Sequence, residues 1–202
     1  MTLWCGKYPL ILASQSRVRQ ELLVNAGIGF EAVAAEIDER TVQQSSGFSA
    51  AGDIAALLAR EKALWVSTRK PGHFVVGADQ TLALGTRLFN KPAGRAQATE
   101  QLRALAGNRH ELHSGVAVAR DGKILFSDVS TARMTMRQLT GAEIRAYLDH
   151  AGEAVTASVG AYQLEGLGVH LFERIEGDHF TILGLPLLQL LAFLRGERLL
   201  GF

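Results

Sequence analysis

The chain has 202 residues, 48% hydrophobic and 20% charged, and its 21 Lys and Arg against 20 Asp and Glu give a formal net charge of +1. This describes a globular protein with a full core, of one domain or two closely joined lobes, and argues against nucleic-acid binding through a broad basic surface. Cys5, the single cysteine, can form neither an internal disulfide nor a cysteine metal cluster. With no apolar run of about 18 residues and no basic-then-apolar leader, a cytoplasmic protein is expected.

Leu10-Ile11-Leu12-Ala13 reads as a buried strand. Ser14-Gln15-Ser16 turns into a helix in which Val18, Leu22 and Ala26 recur every four residues until Gly27 stops it. Arg17 and Arg19 fall in the first turn, where the helix dipole is already positive and each cation is unfavourable by about a few tenths of a kcal/mol. Two serine hydroxyls, free backbone N–H groups and two guanidiniums at one helix start suit an anion, with phosphate the obvious candidate. The plainer alternative is a serine cap with both arginines bent into water.

Phe30 to Ala34 reads as a second strand leading to Glu36-Ile37-Asp38-Glu39-Arg40. These carboxylates offer oxygen ligands to a hard cation such as magnesium, or form an ordinary solvated loop. Gln43 to Gly52 is polar, with Ser and Gly, and reads as a mobile loop. Asp53 is placed to cap a helix carrying Ile54, Leu57, Leu58, Leu64 and Trp65 on one face. Lys62 lies at the edge of that face, where a lysine usually keeps its head in water.

The run Phe74-Val75-Val76-Gly77-Ala78-Asp79 is apolar and β-branched, so it predicts a buried strand delivering Asp79 at or near its end. A carboxylate there is costly unless hydrogen-bonded, paired or metal-bound, and ligands in α/β sheets tend to bind at the carboxyl ends of strands. Leu82 to Leu84 and Arg87 to Phe89, split by Gly85-Thr86, predict a hairpin returning Lys91 toward the same place. A carboxylate and an ammonium converging on one cleft suit a metal-bound polyphosphate. The alternative is a capping Asp and a solvated Lys.

After Pro92 a helix carries Ala98, Leu102 and Leu105 and closes at Gly107. His110 to Ala119 and Ile124 to Met136, joined by Asp121-Gly122, form a long hairpin, with His110 and His113 as strand-face residues rather than a zinc pair. Thr140-Gly141-Ala142-Glu143 is a capping box. The Gly-punctuated stretch Ser158 to Gly168 bends tightly and enters a strand over Val169 to Ile175. Gly177-Asp178 turns, Phe180 to Leu183 extends the chain, and Pro186 starts the last helix. The order predicts a mixed α/β (α+β) sheet flanked by helices, with a cleft between two lobes.

Taken together, Leu12-Ala13-Ser14-Gln15-Ser16 with Arg19, Ile37-Asp38-Glu39, Ala59-Arg60-Glu61-Lys62-Ala63, Gly77-Ala78-Asp79, Lys91-Pro92, Ser114-Gly115 and Gly184-Leu185-Pro186-Leu187 resemble the Maf family, in its order and over nearly the whole chain. The resemblance implies one Maf-like domain over residues 1–202, related in fold to the inosine triphosphate pyrophosphatases. It also implies nucleoside triphosphate pyrophosphatase activity, a divalent metal (Mg²⁺ or Mn²⁺) and commonly a homodimer, while the charge balance and the lack of a long apolar run lead us to expect no nucleic-acid or membrane partner. By position, Asp79 matches the family's proton acceptor, Ser14, Arg19, Lys62 and Lys91 its phosphate-facing residues, and Glu39 its acidic residue, linked with Asp79 to the metal.

Departures from the family pattern bear on substrate. Ser16-Arg17-Val18-Arg19 lacks a proline, and Val18 replaces an Arg or Trp of the branches. Gln80, Glu165 and the run Leu171 to Gly177 look like the 7-methyl-GTP branch rather than the thymidine and uridine triphosphate branch. A Glu carboxylate can accept from the N1 and N2 hydrogens of guanine and complement a cationic methylated ring. The rivals are a dTTP/UTP pyrophosphatase and a non-catalytic nucleotide-binding regulator of division.

Overall fold

The computed structural model describes residues 2–202. One seven-stranded mixed sheet runs through it in the order β2-β1-β3-β5-β6-β7, with β4 attached to β3. β1 (Leu10–Leu12) is parallel to β2 (Phe30–Ala32) and to the start of β3 (Val75–Leu84), where Ile11 faces Val75 and Leu12 faces Val76. β5 (Arg109–Arg120) lies antiparallel along β3 from the Val75–Ala119 pair to the Ala83–Glu111 pair. β6 (Lys123–Met136) and β7 (Phe172–Glu176) continue the antiparallel side.

β4 (Arg87–Phe89) folds back on Leu82 to Leu84. Because β5 fills one edge of β3, β1 and β4 share the other, and that edge has no strand partner from Gly77 to Thr81. The gap is where Asp79 emerges.

The helices are α1 (Arg17–Asn25), α2 (Glu39–Ser46), α3 (Ala51–Ser67), α4 (Arg95–Leu105), α5 (Gly141–Ala151), α6 (His179–Ile182) and α7 (Leu187–Gly196). α1 and α7 bury Leu22, Leu23, Leu190 and Leu194 with Leu10, Val76, Ala78 and Val116 in one core. α4 and α5 bury Leu102, Leu105, Ile144 and Leu148 with Leu82, Leu112 and Met134 in another. β3 enters the first core through Ala78 and the second through Leu82. Asp79, Gln80 and Thr81 therefore lie at the seam between the two cores.

α3 packs unusually close to the sheet. A Cβ on Gly77 would lie 2.1 Å from the Ala59 carbonyl oxygen, and one on Gly115 would lie 2.4 Å from that of Ala55. Glycine is required at both positions because the neighbour is backbone, which no side-chain rotation can move aside.

The capping box at Thr140 and Glu143 is present, and Gly27 and Gly107 stop their helices with φ of +70°. Five local expectations are corrected. Residues 43–52 are not a loop throughout, since α2 runs to Ser46, started by the Asp38 carboxylate accepting from Arg40 and Thr41 N–H and ended by Gly47 in the left-handed region. α2 buries no residue, so it carries no apolar periodicity to read.

Asp53 is not a cap. α3 begins at Ala51, and Asp53 sits in its first turn, where it complements the dipole. The strand predicted over 169–175 is a 3₁₀ turn at Leu167–Leu171 followed by β7, because Gly168 packs against the Gln163 backbone. Phe180 to Leu183 is not extended, since the Asp178 carboxylate accepts from Phe180 and Thr181 N–H and starts α6. The strand expected over 30–34 ends at Ala32. No helix among the described residues is long and apolar enough to cross a membrane.

Candidate active site

Side chains alternate along β3, so Asp79 faces α3 and Gln80 faces the opposite side of the sheet. The close approach of α3 carries Lys62 onto Asp79, with Nζ 2.6 Å from Oδ1. The same Nζ lies 2.7 Å from Glu39 Oε1, at the first residue of α2. Side-chain exposure is 10% for Asp79, 12% for Lys62 and 52% for Glu39, so the triad runs from the protein interior to solvent. Burial pushes the Asp79 carboxyl above its ordinary range, opposed by the nearby Lys62 and Arg19 cations. Oδ2 of Asp79 accepts no hydrogen bond from the described residues.

The start of α1 separates the two arginines. Arg17 is exposed and pairs with Glu21 one turn on, as the plainer alternative has it. Arg19 instead turns into the gap in the sheet edge: Nη1 donates to the Ala78 carbonyl at 2.8 Å and to Ser14 Oγ at 3.3 Å, and Nε donates to the Gly184 carbonyl at 2.8 Å. Arg19 thus satisfies a carbonyl that β3 leaves without a ladder partner. Its Nη2 group makes no hydrogen bond among the described residues. Burial lowers the Arg19 pKa, with Asp79 and Glu39 opposing the shift. Ser16 caps α1 through the Arg19 N–H, and Ser14 Oγ accepts from the Ser16 N–H.

These groups line one cleft of about 760 Å³, within the range of small-molecule sites. Lys91 is exposed on its wall after β4, and Val18 and Glu165 also line it. Nine of the residues singled out in the sequence therefore line one cleft: Ser14, Val18, Arg19, Glu39, Lys62, Asp79, Gln80, Lys91 and Glu165; Asp38 instead caps α2, and Glu36 does not line it. A profile of the Maf-like protein family matches residues 9–197. The chain belongs to the Maf family.

Maf relatives match it end to end. One from Bradyrhizobium diazoefficiens, named nucleoside triphosphate pyrophosphatase, is 72% identical over 201 residues covering both chains completely. A Rhodopseudomonas palustris protein of the same name is 67% identical, again over the full length of both. A Brucella abortus protein named 7-methyl-GTP pyrophosphatase is 50% identical over 94% of this chain and 96% of its own.

Two further features of this Maf cleft carry no pattern in the sequence. Gln80 donates its amide to Ser114 Oγ at 3.0 Å and to the carbonyls of Thr181 and Ile182 at 3.1 and 3.0 Å, while Ser114 Oγ donates to Thr181 at 2.7 Å. This strut ties β3 and β5 to the wall formed by Ile182 and Leu183. On the other wall, the Tyr162 hydroxyl lies 2.7 Å from His110 Nε2, and the Tyr147 hydroxyl donates to the Ala161 carbonyl. Both contacts fix the segment leading to Glu165. Sequence separations of 14 to 102 residues join these partners, and only the topology brings them together.

Among the described residues no three His, Cys, Asp or Glu side chains group as a metal site. The Glu39 and Asp79 pair nevertheless fits a hard cation, because their oxygens already share one positive centre at the cleft. Magnesium typically keeps several waters and substrate oxygens beside one or two carboxylates.

Proposed function

We propose that the chain hydrolyses the α–β phosphoanhydride of a nucleoside triphosphate, giving a nucleoside monophosphate and pyrophosphate, with a 7-methylated guanine nucleotide as its preferred substrate. The observation carrying the chemistry is the Asp79–Lys62–Glu39 triad, set beside the start of α1 in one cleft with Arg19 and Lys91. The pyrophosphatase class is shared by relatives spanning the full chain.

In this reading Lys91, Lys62, the free Nη2 of Arg19 and the N-terminal turn of α1 receive the polyphosphate. Ser14 takes part both as a contact and as the group that orients Arg19. Asp79 holds the attacking water through Oδ2, and its raised pKa makes it a better proton acceptor. The water oxygen bonds to the α-phosphorus, the bridging P–O bond breaks, pyrophosphate leaves with the electron pair, and the water proton passes to Asp79. A divalent cation held by Glu39 and Asp79 would supply neutralisation of the phosphate charge.

For the base, Glu165 stands exposed on the cleft wall and can face a cationic methylated ring. Val18, half-buried on α1, offers no stacking surface. Gln80 has its amide N–H groups engaged, so its influence on selectivity runs through its carbonyl oxygen and the wall it holds. The 50% identical relative named for 7-methyl-GTP supports the same substrate.

The test is pyrophosphate release from 7-methyl-GTP, GTP, dTTP, UTP and CTP with Mg²⁺ or Mn²⁺, wild type beside Asp79→Asn. The expected result is fastest turnover of 7-methyl-GTP, reduced by about 10²- to 10⁴-fold in the variant, the usual contribution of a positioned general base. A preference for dTTP and UTP would keep the chemistry and remove the methylated-guanine assignment. Release of pyrophosphate from none of the five would remove both.

A further inference from the structure

Lys62 occupies the place of a cation. Its ammonium joins Asp79 Oδ1 and Glu39 Oε1 at 2.6 and 2.7 Å, and no other basic side chain pairs with either carboxylate among the described residues. Magnesium binds carboxylate oxygen at about 2.0–2.1 Å, so an ion held by the same two oxygens would lie against the ammonium. A monovalent and a divalent cation in contact at a buried site repel strongly, and both cannot stay.

Arg19 does not share the pairing: Nε and Nη1 are committed to Gly184, Ala78 and Ser14, and Nη2 lies within 4.0 Å of neither carboxylate. Without any cation, the 10%-exposed Asp79 would be a buried unpaired charge, which is strongly destabilising. Lys62 also has somewhere to go. It lines the same cleft as Lys91 and Ser14, and its four-carbon stem is flexible where a guanidinium fork is not.

We propose that Lys62 is an internal counter-ion that holds Asp79 and Glu39 together in the metal-free protein and is displaced from both when a divalent cation binds, which releases its ammonium toward the anionic ligand. The proposal rests on reading Glu39 and Asp79 as the metal-holding pair. It predicts that the free protein binds metal weakly because each ion must first displace a lysine. It also predicts that metal and polyphosphate favour one another beyond their direct attraction, since each stabilises the same displaced position of Lys62.

The test uses metal alone on nucleotide-free protein. Binding of Mn²⁺, counted by electron paramagnetic resonance, should tighten at least about tenfold in Lys62→Met and change less than about twofold in Lys91→Met, which removes a cation from the same cleft without touching the pair. Equal changes in the two variants would mean that only the net charge of the cleft matters, and would overturn the proposal. So would no change in either. Should Lys62→Met not fold, the wild type decides: the ¹⁵N-detected NH₃⁺ signal of Lys62, assigned by its loss in Lys62→Arg, should vanish on Mg²⁺ saturation, and its persistence would refute displacement.

Glu39→Gln separates this inference from the reading beneath it. Mn²⁺ binding that is absent, or indifferent to Glu39→Gln, removes the metal pair and the displacement together. Mn²⁺ binding that needs Glu39 while the Lys62 signal persists removes the displacement alone.

Discussion

His110 is fully buried on β5, with Nε2 against the Tyr162 hydroxyl and Nδ1 without a hydrogen-bond partner among the described residues. Burial lowers its pKa from 6.5 to about 4, because a second proton would place an unpaired charge in the core. The unfolded chain takes up that proton below its ordinary pKa while the folded chain refuses it. The contribution to stability is therefore complete above about pH 6.5 and is lost as pH falls toward about 4, by roughly 3 kcal/mol in all. Urea midpoints at pH 7 and pH 5 should differ less in His110→Gln, which does not titrate, than in the wild type; equal differences would show that His110 is not the acid-sensitive group. Asp79 is also buried but has partners, and that contrast explains what its sequence context revealed. A carboxylate in an apolar strand had to be paired, so Asp79 was legible. The partner's identity was not, because a lysine at the edge of a helix face ordinarily extends into water.

At the scale of elements, α3 is the part on which the site depends. Its contact with β3 and β5 runs through Gly77 and Gly115 against the backbone of Ala59 and Ala55, and Gly115 is the register partner of Asp79. Gly115→Ala should cost about 1–3 kcal/mol, as overpacking does, and should lower turnover further by moving Lys62 away from Asp79. Gly196→Ala is the control: it lies in α7 with nothing within 4 Å of its added Cβ, and should be neutral or stabilising by up to about 1 kcal/mol. Chemical denaturation and steady-state assay of the pair decide it, and equal stability of the two variants would dismiss the close-packing account. Elements with strong apolar periodicity or a paired cap signal, such as β3, the β5–β6 hairpin, α4 and the Thr140 capping box, were readable from the sequence. α2 and α6 were not, since α2 buries nothing and α6 is four residues long, and both are set by an Asp accepting from two backbone N–H groups.

At the scale of the whole molecule, the two cores meet through continuous strands rather than through a linker. β3 contributes Val76 and Ala78 to one core and Leu82 to the other, and β5 contributes Val116 and Val118 to the first and Leu112 to the second. No segment between them is free of sheet hydrogen bonds on the β3–β5 side, which pairs without interruption from Val75 to Ala83. Loss of either core would leave half of both strands without its packing while the ladder still joined them, so the two should unfold together. Leu23 and Leu102 are each fully buried, one in each core, and replacing either by Ala should cost about 2–5 kcal/mol. In thermal unfolding both variants should show one transition, displaced downward as a whole, with calorimetric and van't Hoff enthalpies in agreement. Two transitions, with Leu23→Ala moving only one and Leu102→Ala only the other, would instead mean that each lobe folds by itself. The Asp79 seam would then be a hinge between independent units, and binding of a polyphosphate across it would have to supply the order that the shared strands otherwise provide.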